Sequence, residues 1–314
     1  MSKKWLVAVA AGALSVGIVA CGGSDSGSDA SGLSGTIRID GSSTVAPLTE
    51  AVAEEFQANN PDVKVTVGTS GTGGGFEKFC AGETDINDAS RAIEPEEVEL
   101  CKKDGVDYGE LQIANDALTV VVNPNNPVKC MTVEQVKQVW EPDSKVTNWS
   151  QIDGLQPPFD SEAAPYGPGS DSGTFDFFTE AINGEEGAIR KDYNDVGEDD
   201  NATVTGVSGA EGGIGYFGYS FYIENEGTVK ALEIDGGSGC VAPSVETAQD
   251  GSYTPLSRPL YIYPSAESLK DETTKAFLEF YVDNVNDVAE QVGFVPLTSA
   301  QQSKASDDLT SLEG

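Results

Sequence analysis

The chain has 314 residues, 52 of them acidic and 18 basic, with no histidine and a formal net charge of -34. That balance argues against nucleic acid as a partner, because backbone phosphates are gripped by clustered Lys and Arg, and the lack of His removes the commonest general base and a frequent zinc ligand. If such an acidic chain binds an anion, its global field repels the ligand, so attraction has to come from short-range donors and helix termini inside a cleft.

At the N-terminus, Lys3 and Lys4 precede an apolar run from Trp5 to Ala20 that ends Ile18-Val19-Ala20-Cys21. The run is shorter than the roughly 20 residues of a membrane span and has the order of a signal peptide, residues 1–20. Small residues directly before a Cys suit lipoprotein processing, so Cys21 is expected to carry lipid, palmitate included, and to anchor the chain on the outer face of the cell membrane. Residues 21–35 are almost wholly Gly, Ser, Asp and Ala and read as a flexible tether.

Beyond the tether, short β-branched runs alternate with amphipathic stretches. Thr36 to Asp40 alternates as a strand, Pro47 to Gln57 carries Leu48, Val52 and Phe56 at helical spacing, and Val63 to Val67 alternates again. A helix around Gly75 to Ala81, a strand near Asp85 to Asn87 and a helix from Glu94 to Asp104 follow, the last announced by Pro95 and acidic residues in its first turn. Such alternation predicts an α/β protein with mainly parallel sheets covered by helices on both faces.

The buried run Ala117 to Val122 ends in the turn cluster Asn123-Pro124-Asn125-Asn126-Pro127, which suggests a crossing between lobes; Arg258 to Pro264 suggests a second. Between them lie a helix at Thr132 to Trp140, the segment Gly169 to Ala181 and the strand-like Gly213 to Tyr216. After them, Ser268 to Asn284 reads as one long amphipathic helix. Two crossings make residues 36–117 and 259–314 one lobe and residues 118–258 the other, with two strand connections as a hinge.

With Cys21 committed to lipid, Cys80, Cys101, Cys130 and Cys240 remain, an even number in an exported chain, and two disulfides are expected. Of three possible pairings, Cys80 with Cys101 and Cys130 with Cys240 is favoured because the first pair lies close in sequence within one lobe. A metal site is disfavoured, since no Cys pair has the short spacing of zinc ligands.

Three Gly- and hydroxyl-rich turns precede apparent helices: Gly41 to Pro47, Gly68 to Gly75, and Gly167 to Thr174. Each offers close backbone approach, free N–H groups at a helix start and rotatable hydroxyl donors. Any one alone is more commonly an ordinary N-cap; three of the same chemistry, split between two lobes, point to one shared oxyanion site. Arg91, beside Ser90 after a short strand, adds a guanidinium fork suited to a tetrahedral oxyanion, although a surface ion pair is its plain alternative. Asp171 repels a fully ionised sulfate but accepts a hydrogen bond from a phosphate that keeps a proton; a local turn bond is its plain alternative.

Together Gly41-Ser42-Ser43-Thr44-Val45, Ser70 to Phe76, Asp85-Ile86 with Ala89-Ser90-Arg91, and Gly167 to Asp176 resemble the phosphate-binding proteins of high-affinity phosphate ABC transporters, with Trp140 to Trp149 and Gly213 to Tyr216 as further landmarks. The resemblance covers nearly the whole mature chain. It implies a two-lobed periplasmic-binding-protein fold of type II that encloses dehydrated inorganic phosphate and delivers it to the membrane subunits of an ABC importer. It further implies no enzymatic activity, no cofactor and a monomer. By motif, Ser43, Thr44, Ser70 or Thr72, Ser90 and Arg91 bind from the first lobe, and Asp171, Ser172, Gly173 and Thr174 from the second. Some family members place an Arg just before the second-lobe turn; here Gly167-Pro168-Gly169-Ser170 stands there, and the cationic role falls to Arg91.

Three rival readings are a binding protein for another oxyanion such as sulfate or molybdate, an exported phosphoester hydrolase using Ser172, and an adhesive or sensory surface lipoprotein. Against the hydrolase stand the missing His, the missing metal cluster and the missing Gly-x-Ser-x-Gly elbow.

Overall fold

The computed structural model describes residues 32–312; the signal peptide, Cys21 and most of the tether lie outside the described residues. Among the described residues no helix is long and apolar enough to cross a membrane. Residues just before Thr36 already pack on the folded body. Leu33 packs against a buried core, the Ser34 carbonyl accepts a 3.0 Å hydrogen bond from the Thr273 hydroxyl, and Gly35 opens the first strand. A fully buried leucine contributes about 1.5–3 kcal/mol, so even partial burial of Leu33 offsets much of the roughly 1–2 kcal/mol needed to order one residue.

In chain order, β1 (Gly35–Gly41), α1 (Ala46–Asn59), β2 (Val63–Gly68), α2 (Gly71–Cys80), β3 (Ile86–Ala89) and α3 (Pro95–Asp104) lead to the 12-residue β4 (Leu111–Val122). The chain continues through β5 (Cys130–Thr132), α4 (Val133–Trp140), β6 (Ala164–Gly167), α5 (Gly173–Asn183), β7 (Asn194–Asp195), α6 (Asp200–Gly209), β8 (Gly213–Gly218) and α7 (Tyr219–Glu224). After β9 (Lys230–Ala231), β10 (Glu233–Asp235), β11 (Cys240–Val241) and α8 (Val245–Gln249), it returns through β12 (Ser257–Pro264) to α9 (Glu272–Gln291) and α10 (Ser299–Leu312).

The main sheet has the order β2-β1-β3-β12-β4-β8-β6-β7, with β9 beside β4. At one end β1 pairs parallel with β2 and β3; at the other β6 pairs parallel with β8 and β7. The long strand β4 joins them by changing partner. Its residues up to Ala117 pair antiparallel with β12, and those from Leu118 pair antiparallel with β8.

Each half of the sheet is covered on both faces, and strand alternation shows why. Leu260 and Ile262 of β12 enter a core with α1 and α9, while Tyr261 and Tyr263 turn to the opposite cluster around Phe76 and Phe79 of α2. In β8, Ile214 and Tyr216 join Trp140, Trp149 and Phe178, while Phe217 packs with Val204 and Val207 of α6. The two large cores share no residue, as two lobes require.

Two helices differ from expectation for visible reasons. The glycines before Phe76 read as a loop, yet α2 starts at Gly71. Packing overrides low helix propensity here, because a Cβ on Gly75 would lie 2.6 Å from the Gly41 Cα. The predicted helix from Ser268 is broken: Ser268–Lys270 forms a 3₁₀ turn, and Asp271 caps a new helix by accepting from the Thr273 and Thr274 N–H groups. Cys80–Cys101 and Cys130–Cys240 are both bonded. Among the described residues the one Cys-containing acidic cluster, Cys130, Glu233 and Cys240, is therefore a disulfide beside a carboxylate.

Candidate anion-binding cleft

A cavity of ≈ 470 Å³ opens where β1, β2 and β3 end and α5 faces them. From the first half of the sheet Ser42, Ser43, Thr44, Ser70, Thr72, Ser90 and Arg91 line it; from the second, Asp176, Phe177, Glu180 and Glu186; and Arg258 lines it from β12. Six of the ten residues singled out from sequence, Ser43, Thr44, Ser70, Thr72, Ser90 and Arg91, thus meet at one cavity. Of the other four, Gly173 abuts Thr44, a Cβ there lying 3.1 Å from Thr44 Oγ1, while Ser172 is buried and Thr174 half-buried at the edge. Asp171 is exposed and does not line the cavity; the second-half carboxylate facing Ser43 is Asp176.

Three helices start at this place, α1, α2 and α5, and none has a side-chain hydrogen bond at its N-cap. Away from the cavity, α4, α6, α8 and α9 are capped by Thr132, Asp199, Ser244 and Asp271. Helix N-termini left without a side-chain acceptor keep donors and positive dipole ends for an anion.

The hydroxyls are arranged in pairs. Ser43 Oγ donates to Asp176 Oδ2 across the cleft at 3.4 Å. The Ser90 N–H donates to Thr72 Oγ1 at 3.2 Å, and the two hydroxyls lie 3.1 Å apart, so one of their hydrogens stays free for a ligand. Ser70 differs: its hydroxyl and its N–H both donate to Asp40. Burial alone would raise the Asp40 carboxyl, but bonds from Lys78 and Ser70 hold it below its ordinary range. Ser70 therefore has to release Asp40 before its hydroxyl can donate to an anion.

Only four arginines exist in the chain, and two reach the cavity. Arg91 is gripped by both oxygens of Glu97, at 2.7 and 2.8 Å, with Glu94 at 3.4 Å. Sequence reading passed over Arg258, the deeper cation. Its Nη2 donates to Thr44 Oγ1 at 3.0 Å, its Nε meets Asp116 at 3.4 Å, its Nη1 lies 3.8 Å from Glu180, and its guanidinium sits 3.7 Å from the Phe177 ring centroid. Burial pushes the Arg258 guanidinium down and the Asp116 carboxyl up, each against the attraction of the other. Its signal in the sequence was scarcity together with a place on the second crossing.

The arrangement can hold a small tetrahedral anion by hydrogen bonds from both sides. Ser172, the nucleophile of the rival hydrolase reading, stands outside the lining.

Comparison with known proteins agrees. A sequence model of the PBP superfamily domain matches residues 26–285. The chain is 48% identical to Protein SphX of Synechococcus elongatus over 272 residues, 86% of this chain and 80% of that protein. It is 41% identical to the phosphate-binding protein PstS of Staphylococcus saprophyticus, covering 97% of this chain and 95% of the other. The crystal structure of a possible phosphate binding protein from Planctomyces limnophilus superposes with a TM-score of 0.85 at 42% identity, covering 90% of this chain and all of that one. With the two-lobed sheet and the cleft between its halves, these matches place the chain in the PBP superfamily and, within it, in the family of the phosphate-binding proteins.

Proposed function

We propose that this protein captures inorganic phosphate outside the cytoplasm and hands it to the membrane subunits of an ABC importer. Its ligands are the hydroxyls of Ser43, Thr44, Ser70, Thr72 and Ser90, the guanidiniums of Arg91 and Arg258, and the Ser172-Gly173-Thr174 turn at the start of α5. The observation that carries this reading is the convergence of three helix starts without side-chain caps and two arginines on one small polar cavity. The phosphate-binding Staphylococcus relative and the Planctomyces structure support the choice of anion.

Residues 36–117 with 259–314 form one lobe and residues 118–258 the other. They close by rotation about the β4 connection and the stretch entering β12, a motion common to periplasmic binding proteins. The closed form presents one surface to the transporter. The protein works as a monomer tethered through lipid on Cys21, without enzymatic activity.

Calorimetric titration of residues 36–314 with phosphate, then sulfate, tests the reading. One-to-one phosphate binding without sulfate heat is expected, and no phosphate released from a generic phosphoester. Absence of phosphate binding, or tighter sulfate binding, would overturn it.

A further inference from the structure

We infer that Asp40 and Lys78, neither of which lines the cavity, form a charge-balanced positioning pair that sets how readily Ser70 donates to the anion. The inference rests on the phosphate reading above and concerns how the second of the three turns is held for that ligand.

Asp40 lies one residue before the end of β1, beside the first turn, and its side chain reaches the second. It pairs with Gly68 at the end of β2, where a Cβ would lie 2.4 Å from Asp40 Oδ2, so the bare glycine makes room for the carboxylate. One carboxylate oxygen, Oδ1, accepts from the Ser70 N–H at 3.1 Å and from the Ser70 hydroxyl. The other, Oδ2, accepts from Lys78 Nζ at 2.7 Å. Lys78 stands in the last turn of α2, and helical side chains lean towards the helix start, which lets its stem run back to the strand end.

Ser70 is the N-cap residue of α2, yet its hydroxyl bonds Asp40 rather than the helix's own N–H groups, which stay open to a ligand. A hydroxyl has a single hydrogen, and Ser70 directs its own at Asp40. When that hydrogen turns to an anion, Asp40 keeps the Ser70 N–H and the Lys78 ammonium, so a carboxylate only 13% exposed is not left without partners. Lys78 also cancels a negative charge that would otherwise stand behind the turn and repel the anion. As a prop for the fold the pair contributes little, because the Lys78 side chain is 41% exposed and ion pairs in contact with water are weak. Its effect therefore falls on binding.

The experiment is calorimetric titration with inorganic phosphate of the unmodified protein, Lys78→Met, Lys78→Arg and the double variant Asp40→Asn with Lys78→Met, each with its thermal midpoint. Lys78→Met should lose about tenfold in affinity, the effect of one unbalanced charge near the ligand, with its midpoint little changed. Lys78→Arg should keep most of the affinity, and removing the Asp40 charge as well should recover most of what Lys78→Met lost. Unmodified affinity in Lys78→Met overturns the inference. So does a loss in Lys78→Arg as large as in Lys78→Met, or a folded double variant that binds no better than Lys78→Met, since either makes the lysine a matter of packing and not of charge. Should the double variant fail to fold, the comparison of Lys78→Arg with Lys78→Met decides alone. Absence of phosphate binding by the unmodified protein would instead overturn the functional reading itself.

Discussion

Asp88 is the residue with the most to say about stability beneath the cleft. It lies in β3, fully buried, and its carbonyl accepts from the Ser42 N–H at the base of the first turn. Neither of its carboxylate oxygens has a hydrogen-bond partner at bonding distance. Burial, with the charges of Asp40 and Glu50 acting the same way and the Thr49 hydroxyl acting against them, raises its carboxyl to about 8. The folded protein therefore keeps a proton that the unfolded chain releases near its ordinary value of 3.8. Stability from this group is complete below that value, declines as pH rises, and is lost by about pH 8. Urea unfolding of Asp88→Asn should lack this component of the pH slope and exceed the unmodified protein at alkaline pH; parallel slopes would show that Asp88 is ionised in the folded state. Arg258 makes a complementary point at the same scale. Its partly buried bond to Thr44 Oγ1 and its ion pair with Asp116 tie the turn before α1 to both connecting strands, β4 and β12.

At the scale of elements, α5 decides how closely the lobes meet. Its first residue, Gly173, lies against Thr44, where a Cβ would be 3.1 Å from Oγ1 and 3.2 Å from Cα. Helix propensity alone favours Ala over Gly by about 1 kcal/mol, so Gly173→Ala should leave the ligand-free thermal midpoint unchanged or slightly higher. Phosphate affinity should nevertheless drop by about tenfold, a cost near 1.4 kcal/mol, because the closed cleft no longer fits. Equal affinity in the variant would show that the contact is slack when ligand is bound. Behind the hinge strands a second seam joins the halves: the Ser220 hydroxyl of α7 donates to the Gly293 carbonyl at 2.7 Å, and Gln249 of α8 to the Pro296 carbonyl at 2.8 Å. Closure has to preserve or exchange these bonds as well as the strand pairings.

For the whole molecule, charge is the dominant property. A net charge of -34 opposes the approach of any anion until it reaches the local donors of the cleft. Raising inert salt from about 10 mM to about 150 mM shortens the screening length from about 30 Å to about 8 Å. Stopped-flow association of phosphate should therefore quicken with salt. Slower association would mean that the field at the cleft mouth is positive despite Glu94, Glu180 and Glu186. Both disulfides are local, Cys80–Cys101 between α2 and α3 and Cys130–Cys240 between β5 and β11 of a separate three-stranded sheet, so neither bond joins the two large cores and neither restrains closure.

By itself the sequence determined the alternation of strands and helices and the three turns at the cleft, because periodicity, turn chemistry and helix starts are written within a few adjacent residues; which of the three disulfide pairings forms was decided by the tertiary structure. It also placed six hydroxyl and guanidinium residues at one cavity through motifs that are local. Tertiary structure alone decided that Asp176 and not Asp171 faces Ser43, and that Arg258, 214 positions beyond Thr44, binds its hydroxyl. Asp171 stands in the turn before α5 and is exposed, whereas Asp176 lies in the first turn of that helix, so which carboxylate meets Ser43 depends on how α5 docks against the first turn of the chain rather than on the local motif. The Arg258 contact depends on sheet order, which brings β12 between β3 and β4, and no local pattern in the chain encodes that order.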